Sequence, residues 1–141
     1  MSKQIIIDDG LKTYELVNKN KKVLGEISFN PSDTNIVKRY EEVVEQLEKI
    51  DIAFSSEETA EIAEEMRKVD DIIYEKVDYL VGAEISEQLF AVMGPFSPLD
   101  SGVFFIEYIL EVIGKIISQE TGASVKKINK RISKHTKKYH G

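Results

Sequence analysis

The spacing of hydrophobic and polar residues divides the chain into a strand-like start and a longer helical remainder. Residues 11–17 and 23–29 alternate apolar and polar side chains, a period of two that is typical of half-buried strands. The polar segment 18–22 between them favours a β-hairpin. Three isoleucines at 5–7 precede a turn signal and extend the predicted hairpin to about 4–29. Tyr14 and Leu16 are predicted to share one face of the first strand. The second strand is predicted to place Val23, Gly25, Ile27 and Phe29 on one face.

From residue 31 onward the apolar residues recur every three or four positions, which predicts helices. We expect helices at about 33–50, 55–81, 84–93 and 103–117, with a further one from about 124. The fold class is therefore α+β and predominantly α, with an N-terminal β-hairpin followed by a bundle of four to five helices.

The domain organisation follows from the same pattern. Residues 1–122 are expected to form a single globular domain, with the hairpin in 1–30 and the helices in 31–122. Residues 123–141 are expected to form a basic C-terminal helix or tail.

Several residues have predicted local roles in this arrangement. Gly25, inside the second strand, indicates a bulge or a close backbone approach. Pro31 and Asp33 are expected to end the strand and start the first helix, and Phe29 to anchor the hairpin on the helices. Arg39 is expected to bond an acid or a backbone carbonyl. The second helix is predicted to begin at a capping box, Ser55 with Glu58, and to end at Gly82. The helix 103–117 is predicted to be capped by Asp100 or Ser101 at its start and to be ended by Gly122.

The helix 103–117 is the most apolar segment, because 11 of its 15 residues are hydrophobic. Its charged residues, Glu107, Glu111 and Lys115, share one narrow stripe. A membrane span needs about 20 mostly apolar residues, so we expect no membrane insertion. Such a helix must be covered nearly all round. Two interpretations stay open, namely a central helix of the domain and an oligomer interface.

Composition narrows the chemistry that the chain can perform. Its 141 residues contain no cysteine and two histidines, His135 and His140, both near the C-terminus. Disulfide scaffolds, thiolate chemistry and cysteine-ligated metals are therefore excluded. The N-terminal residues lack the long apolar core of a signal peptide, so a cytoplasmic protein is expected.

Carboxylates provide one enzymatic alternative. Glu42, Glu45, Glu75 and Asp78 fit the EExxE and ExxD spacings with which all-α nucleotide pyrophosphatases hold Mg²⁺. With 25 acids in the chain such spacings arise readily by chance. The four residues also point away from the apolar stripes of their helices, whereas a bundle metal site needs inward ligands. We therefore predict a non-enzymatic protein without catalytic, metal or cofactor residues.

The net charge of −6 is unevenly placed. Residues 1–120 carry all 25 acids and 12 bases, a net of −13, and residues 121–141 carry seven bases and no acid. The basic end is suited to an acidic partner, including the body of another copy, and it can equally be a solvated helix. Nucleic acid is a less favoured partner because the acidic body would repel it. Acidic residues of the second helix could receive basic segments of a client protein.

Three segments together resemble a known family. Tyr14–Asn18, Leu24–Asp33 and the pair Arg39-Tyr40 are similar to the N-terminal part of tail assembly chaperones and related tail-region proteins of long-tailed phages and prophages of Gram-positive bacteria. The shared features are a short hairpin, a glycine in its second strand, an F-x-P-x-D junction and an Arg-Tyr pair. The motif-bearing part covers about residues 11–47.

The resemblance implies a protein of the host cytoplasm that binds and solubilises the tape measure protein, helps to recruit tail tube protein, and is a homo-oligomer. An alternative is another structural phage protein, such as a head–tail or tail component. Helix-in-groove capture of an amphipathic client suits the apolar helix and the loop before it. The predicted partner-binding residues are Phe96, Phe104, Phe105, Ile109, Lys127, Lys130, Arg131 and Lys134.

Overall fold

A computed structural model of the chain describes residues 2–49 and 59–122, and within the second helix the side chains from residue 63 onward. A two-stranded antiparallel hairpin precedes four helices in these residues, which confirms the predicted α+β, mainly α fold. The elements are β1 (Lys12–Val17), β2 (Val23–Phe29), α1 (Asn35–Glu48), α2 (Thr59–Val81), α3 (Ser86–Phe90) and α4 (Phe105–Thr121). The predicted box Ser55–Glu58 and the predicted helix from residue 124 lie outside the described residues.

The hairpin is shorter than its predicted range, because β1 begins at Lys12 and the isoleucines 5–7 lie outside both strands. The pairing runs from Lys12 opposite Phe29 to Leu16 opposite Gly25, and then shifts so that Val17 lies opposite Val23. Leu24 is thereby left as a bulge next to the glycine.

The inner face of the hairpin packs against the helices. Phe29 is fully buried and stacks on Tyr14 with ring centroids 5.4 Å apart. Gly25 passes so close to α3 that an added Cβ would lie 3.2 Å from the side-chain oxygen of Gln88. The prediction of a bulge or a close backbone approach at Gly25 is confirmed by the close approach, and the bulge lies at the adjacent Leu24. Val23 departs from the predicted face and remains 52% exposed at the far end of the hairpin.

The junction between β2 and α1 is held by side-chain hydrogen bonds. Asp33 Oδ1 accepts from the N–H of Asn35 at 2.9 Å, which supports the start of α1. That bond, with a lesser contribution from Arg39, holds the pKa of Asp33 below its usual value. Arg39 donates to the carbonyl of Leu80 at 3.0 Å and approaches Asp33 Oδ2 at 3.4 Å. It meets both kinds of partner expected for it and links α1 to α2.

The core lies where α1, α2 and α4 meet beneath the hairpin. Tyr40 is fully buried, and its hydroxyl donates to the carbonyl of Leu110 at 2.9 Å, which joins α1 to α4. Because burial disfavours the phenolate, the pKa of Tyr40 is raised. The fully or almost fully buried aliphatic residues of the helices include Ile36, Val43, Val44, Ile73, Val77, Leu80, Leu110 and Ile117.

The corner between α2 and α3 is built around Asp78. Its Oδ1 accepts from the N–H groups of Ile85 and Ser86 at 2.8 and 2.7 Å, and its Oδ2 accepts from the Ser86 hydroxyl at 2.8 Å. Gly82 ends α2 with a φ of +67°, a conformation that favours glycine. The turn that Asp78 holds occupies the residues before Ser86, so α3 begins at Ser86. This helix therefore spans five residues rather than the ten predicted.

The prediction that Asp100 or Ser101 caps α4 is wrong. The cap residue is Phe104, whose N–H donates to Glu107 Oε1 at 2.9 Å. Although Glu107 is charged, it is buried, with 6% of its surface exposed, because its carboxylate folds back over the first turn of the helix. At the other end Gly122 adopts a φ of +77° and closes the helix as predicted.

Most of α4 is covered within the chain, in agreement with its interpretation as the central helix. Its buried apolar positions are Phe105, Ile106, Ile109, Leu110, Ile113 and Ile117. The exposed stripe carries Tyr108 and the ion pair between Lys115 and Glu111, 3.1 Å apart. Whether this stripe also meets another copy stays a prediction.

Candidate functional site

The loop 91–104 between α3 and α4 is held by main-chain hydrogen bonds. The carbonyls of Ser97 and Pro95 accept from the first two N–H groups of α4, those of Phe105 and Ile106, at 2.9 and 2.8 Å. These bonds satisfy helix N–H groups that have no partner inside the helix. A further bond joins Leu99 N–H to the carbonyl of Val103 at 2.8 Å. The loop is therefore fixed to the end of the apolar helix.

Two of the predicted partner-binding residues meet in this loop. The rings of Phe96 and Phe104 are 5.6 Å apart and nearly perpendicular, an edge-to-face arrangement that aromatic pairs prefer. Each ring is partly buried against the core and partly exposed. The pair thus presents aromatic surface in a defined orientation.

Two further predicted residues lie in the core. Phe105 is 6% exposed and packs edge-on against Phe90, and Ile109 is 8% exposed. In this structure neither side chain is accessible to a client. The aromatic surface therefore consists of Phe96 and Phe104, and the roles of Phe105 and Ile109 are in packing.

An additional aromatic residue extends the exposed surface beyond the predicted positions. Tyr108 lies one helical turn after Phe104 and is 47% exposed. The available sequence signal was its place three residues before Glu111, next to the charged stripe of the helix. We call Phe96, Phe104 and Tyr108 the loop surface.

A cleft of about 350 Å³ lies between α2 and α3. Four carboxylates and no basic residue are among the side chains that line it. The lining residues are Tyr74, Glu75, Asp78, Glu84, Ser86, Glu87 and Gln88. We call this the acidic cleft.

Aromatic stacking connects the acidic cleft to the start of α4. Tyr74 lines the cleft and stacks on Phe90, with ring centroids 4.9 Å apart, and Phe90 in turn contacts Phe105. Burial, together with the charges of Asp70 and Asp71, raises the pKa of Tyr74. The carboxylates that line the cleft make the surroundings of Tyr74 negative, so a cation is favoured there.

Glu42 and Asp78, two of the carboxylates of the enzymatic alternative, make hydrogen bonds that support the fold. Glu42 Oε2 accepts from the Tyr79 hydroxyl at 2.8 Å, and both oxygens of Asp78 hold the α2–α3 corner. Glu45 and Glu75 are exposed. Among residues 2–49 and 59–122, no group of three or more acidic or histidine side chains is arranged to hold a metal ion.

The basic part of the predicted site lies outside the described residues. This applies to Lys127, Lys130, Arg131 and Lys134. Within the part that the structure describes, no helix combines the length and the hydrophobicity needed to cross a bilayer.

Comparison with known protein families, with curated proteins and with solved structures gives no match to this chain.

Proposed function

We propose that this protein is a non-enzymatic assembly chaperone or adaptor of a phage tail module, and that its client is the tape measure protein. The proposal begins from the resemblance of residues 11–47 to tail assembly chaperones. The single observation that supports a binding role most directly is the loop surface, in which fixed, partly exposed aromatic rings lie at the end of the apolar helix.

The loop surface suits the apolar face of an amphipathic helix. Exposed aromatic side chains contribute large contact areas at a small cost in conformational entropy. The main-chain bonds from Ser97 and Pro95 to α4 hold the loop before the client arrives, so little ordering is required on binding. A client helix would place apolar residues at positions i, i+3 and i+4 against Phe96 and Phe104.

The acidic cleft supplies the second half of the recognition. Glu75, Glu84 and Glu87 present negative charge next to Tyr74, which connects through its stacked rings to the start of α4. Lysine and arginine residues on the polar face of the client would be attracted there. The preferred client is therefore a helix that is apolar on one side and basic on the other.

The test is co-expression with the tape measure protein of the same tail module, followed by co-purification. Phe104→Asp removes the ring, and it places aspartate at the cap position of α4, where that residue is favoured. Fold disruption is thereby minimised. We expect the co-purified tape measure protein to fall at least tenfold in Phe104→Asp and in Phe96→Asp.

A matched control is Val23→Asp, because Val23 is an exposed apolar residue on the hairpin, far along the chain from the loop. It should leave co-purification unchanged. Undiminished binding by a folded Phe104→Asp and Phe96→Asp protein would contradict the proposed surface. Tape measure protein that stays soluble without this chain would contradict the proposed function itself.

The other two functions make different predictions in the same preparation. A head–tail or tail component would be found in assembled particles rather than bound to free tape measure protein. A nucleotide pyrophosphatase would hydrolyse nucleotides with Mg²⁺ and lose that activity in Glu45→Gln.

A further inference from the structure

The most exposed apolar residues of the described chain lie at its N-terminal end. Ile5, Ile6 and Ile7 are 85%, 98% and 76% exposed. Three consecutive β-branched residues favour an extended strand, yet they belong to no strand here. Residues 2–11, which we call the N-terminal arm, therefore display a strand-forming segment without a sheet partner in the described part of the molecule.

The base of the N-terminal arm is fixed. Asp8 Oδ1 accepts from the N–H of Gly10 at 3.0 Å, and Asp9 Oδ1 accepts from the N–H of Leu11 at 3.1 Å. Gly10 has a φ of +67° and lies so close to Asn30 that a Cβ would be 2.8 Å from its Oδ1 atom. The turn and this contact hold residues 8–10 beside the end of β2, while the three isoleucines before them remain exposed.

The hairpin offers a sheet edge that matches such a strand. The sheet has two strands, so each of them pairs on one side only among the described residues. An unpaired edge presents a row of N–H and C=O groups to another strand. The bulge at Leu24 interrupts the edge of β2, which also lies against α3, whereas β1 carries no bulge. The outer edge of β1 is therefore the better template.

We propose that the N-terminal arm of one copy adds as a third strand to the outer edge of β1 in a second copy. The second copy does the same in return, which gives a symmetric dimer with the same patch on both subunits. The added strand would pair the main-chain N–H and C=O groups that the outer edge of β1 leaves unpaired in the two-stranded sheet.

We take the occupant to be a second copy, because the arm does not pair with the β1 edge of its own chain. Every copy therefore carries both an arm and an edge that lack a strand partner among the described residues. Each copy supplies one arm and one β1 edge, so mutual exchange leaves neither without a partner. This dimer is independent of the proposed client.

The first test measures the mass of the full chain by size exclusion with light scattering over a range of concentrations. We expect a dimer whose dissociation constant rises at least tenfold in Ile6→Lys. Because the Ile6 side chain is 98% exposed, this change leaves the fold of the subunit intact, as circular dichroism would show. The control Val23→Lys alters a 52% exposed residue of β2 and should not shift the equilibrium.

The second test identifies the edge by disulfide formation between two different single-cysteine variants. The chain has no cysteine, so each bond reports only the introduced pair. One variant carries Ile5→Cys, Ile6→Cys or Ile7→Cys in the arm. It is mixed with a second variant that carries Thr13→Cys or Glu15→Cys on β1, or with one that carries Ser28→Cys or Glu26→Cys at the positions directly opposite on β2. A disulfide needs Cα atoms within about 7 Å, which separates a neighbouring strand from the next one.

Bonds to the β1 positions in excess of those to β2 are expected. Dominant bonds to β2, or between two arms, would overturn the edge assignment. A monomeric full chain that forms none of these bonds, or a dimer unaffected by Ile6→Lys, would overturn the arm exchange as a whole.

Discussion

The two most apolar segments of this chain have opposite surroundings. The helix α4 is surrounded by α1 and the rest of the core, and Ile117 near its end is fully buried. The isoleucines of the N-terminal arm are almost fully exposed. A 17-residue helix satisfies its own main-chain groups and needs only side-chain contacts, whereas three extended residues need a neighbouring strand. Hydrophobicity alone therefore does not determine burial.

Replacement of a core residue of α4 should give the largest effect. Ile117→Ala is expected to lower the free energy of unfolding by about 3 kcal/mol, because it removes buried methyl groups and leaves a cavity. Chemical denaturation in dilute solution measures this value. Ile6→Ala is the counterpart in the arm and should change the unfolding free energy of the subunit by less than about 0.5 kcal/mol. Equal effects would show that the arm is buried in the isolated subunit.

Removal of the buried hydroxyl between α1 and α4 should give an intermediate effect. Tyr40→Phe is expected to cost about 1 kcal/mol, since it deletes one buried hydrogen bond and retains the ring. The measurement is the denaturation midpoint, with Tyr108→Phe as the exposed control. An unchanged midpoint would mean that packing alone holds α4 against α1.

A smaller effect, of opposite sign, is expected at Asp70 on α2. Its Oδ1 is buried without a hydrogen-bond partner in the described part of the molecule, and burial, assisted by Asp71, raises its pKa. A carboxyl with a raised pKa in the folded state favours folding when protonated, so its contribution falls as pH rises from its unfolded pKa through its folded pKa. At neutral pH Asp70→Asn should therefore stabilise the protein by roughly 0.5 kcal/mol.

The same variant can be checked by its pH dependence. The advantage of Asp70→Asn should shrink as pH falls from the raised folded pKa of Asp70 to the unfolded pKa of aspartate, about 3.9, because the wild-type carboxyl is neutral in both states below that value. Thermal unfolding at several pH values measures it. A constant difference across this range would mean that Asp70 is not desolvated in the folded protein.

Sequence periodicity was sufficient for much of the fold. It predicted the hairpin, three of the four helix positions closely, and the stripe of α1 that contains Ile36 and Tyr40. It also indicated a bulge or a close approach at Gly25, because a glycine inside an alternating strand lacks a side chain to pack. Such features depend on neighbours along the chain and on a regular repeat.

The details at the candidate site depended on contacts between distant segments. The sequence could not separate Phe104, which remains partly exposed, from Phe105, which faces Phe90. The cap at Phe104 was also unpredicted, since its partner is the long side chain of Glu107 rather than a short polar residue. One residue of rotation at the start of α4 decides which ring enters the core.

By itself the sequence determined the element types, the acidic body with its basic end, and the absence of cysteine chemistry. These properties follow from composition and from periods of two and 3.6 residues. Only the tertiary structure decided that Asp78 holds a corner, that the loop surface contains Phe96 and Phe104, and that the isoleucines of the arm stay exposed. Those outcomes depend on which surfaces remain after the helices have packed, and no local pattern contains that information.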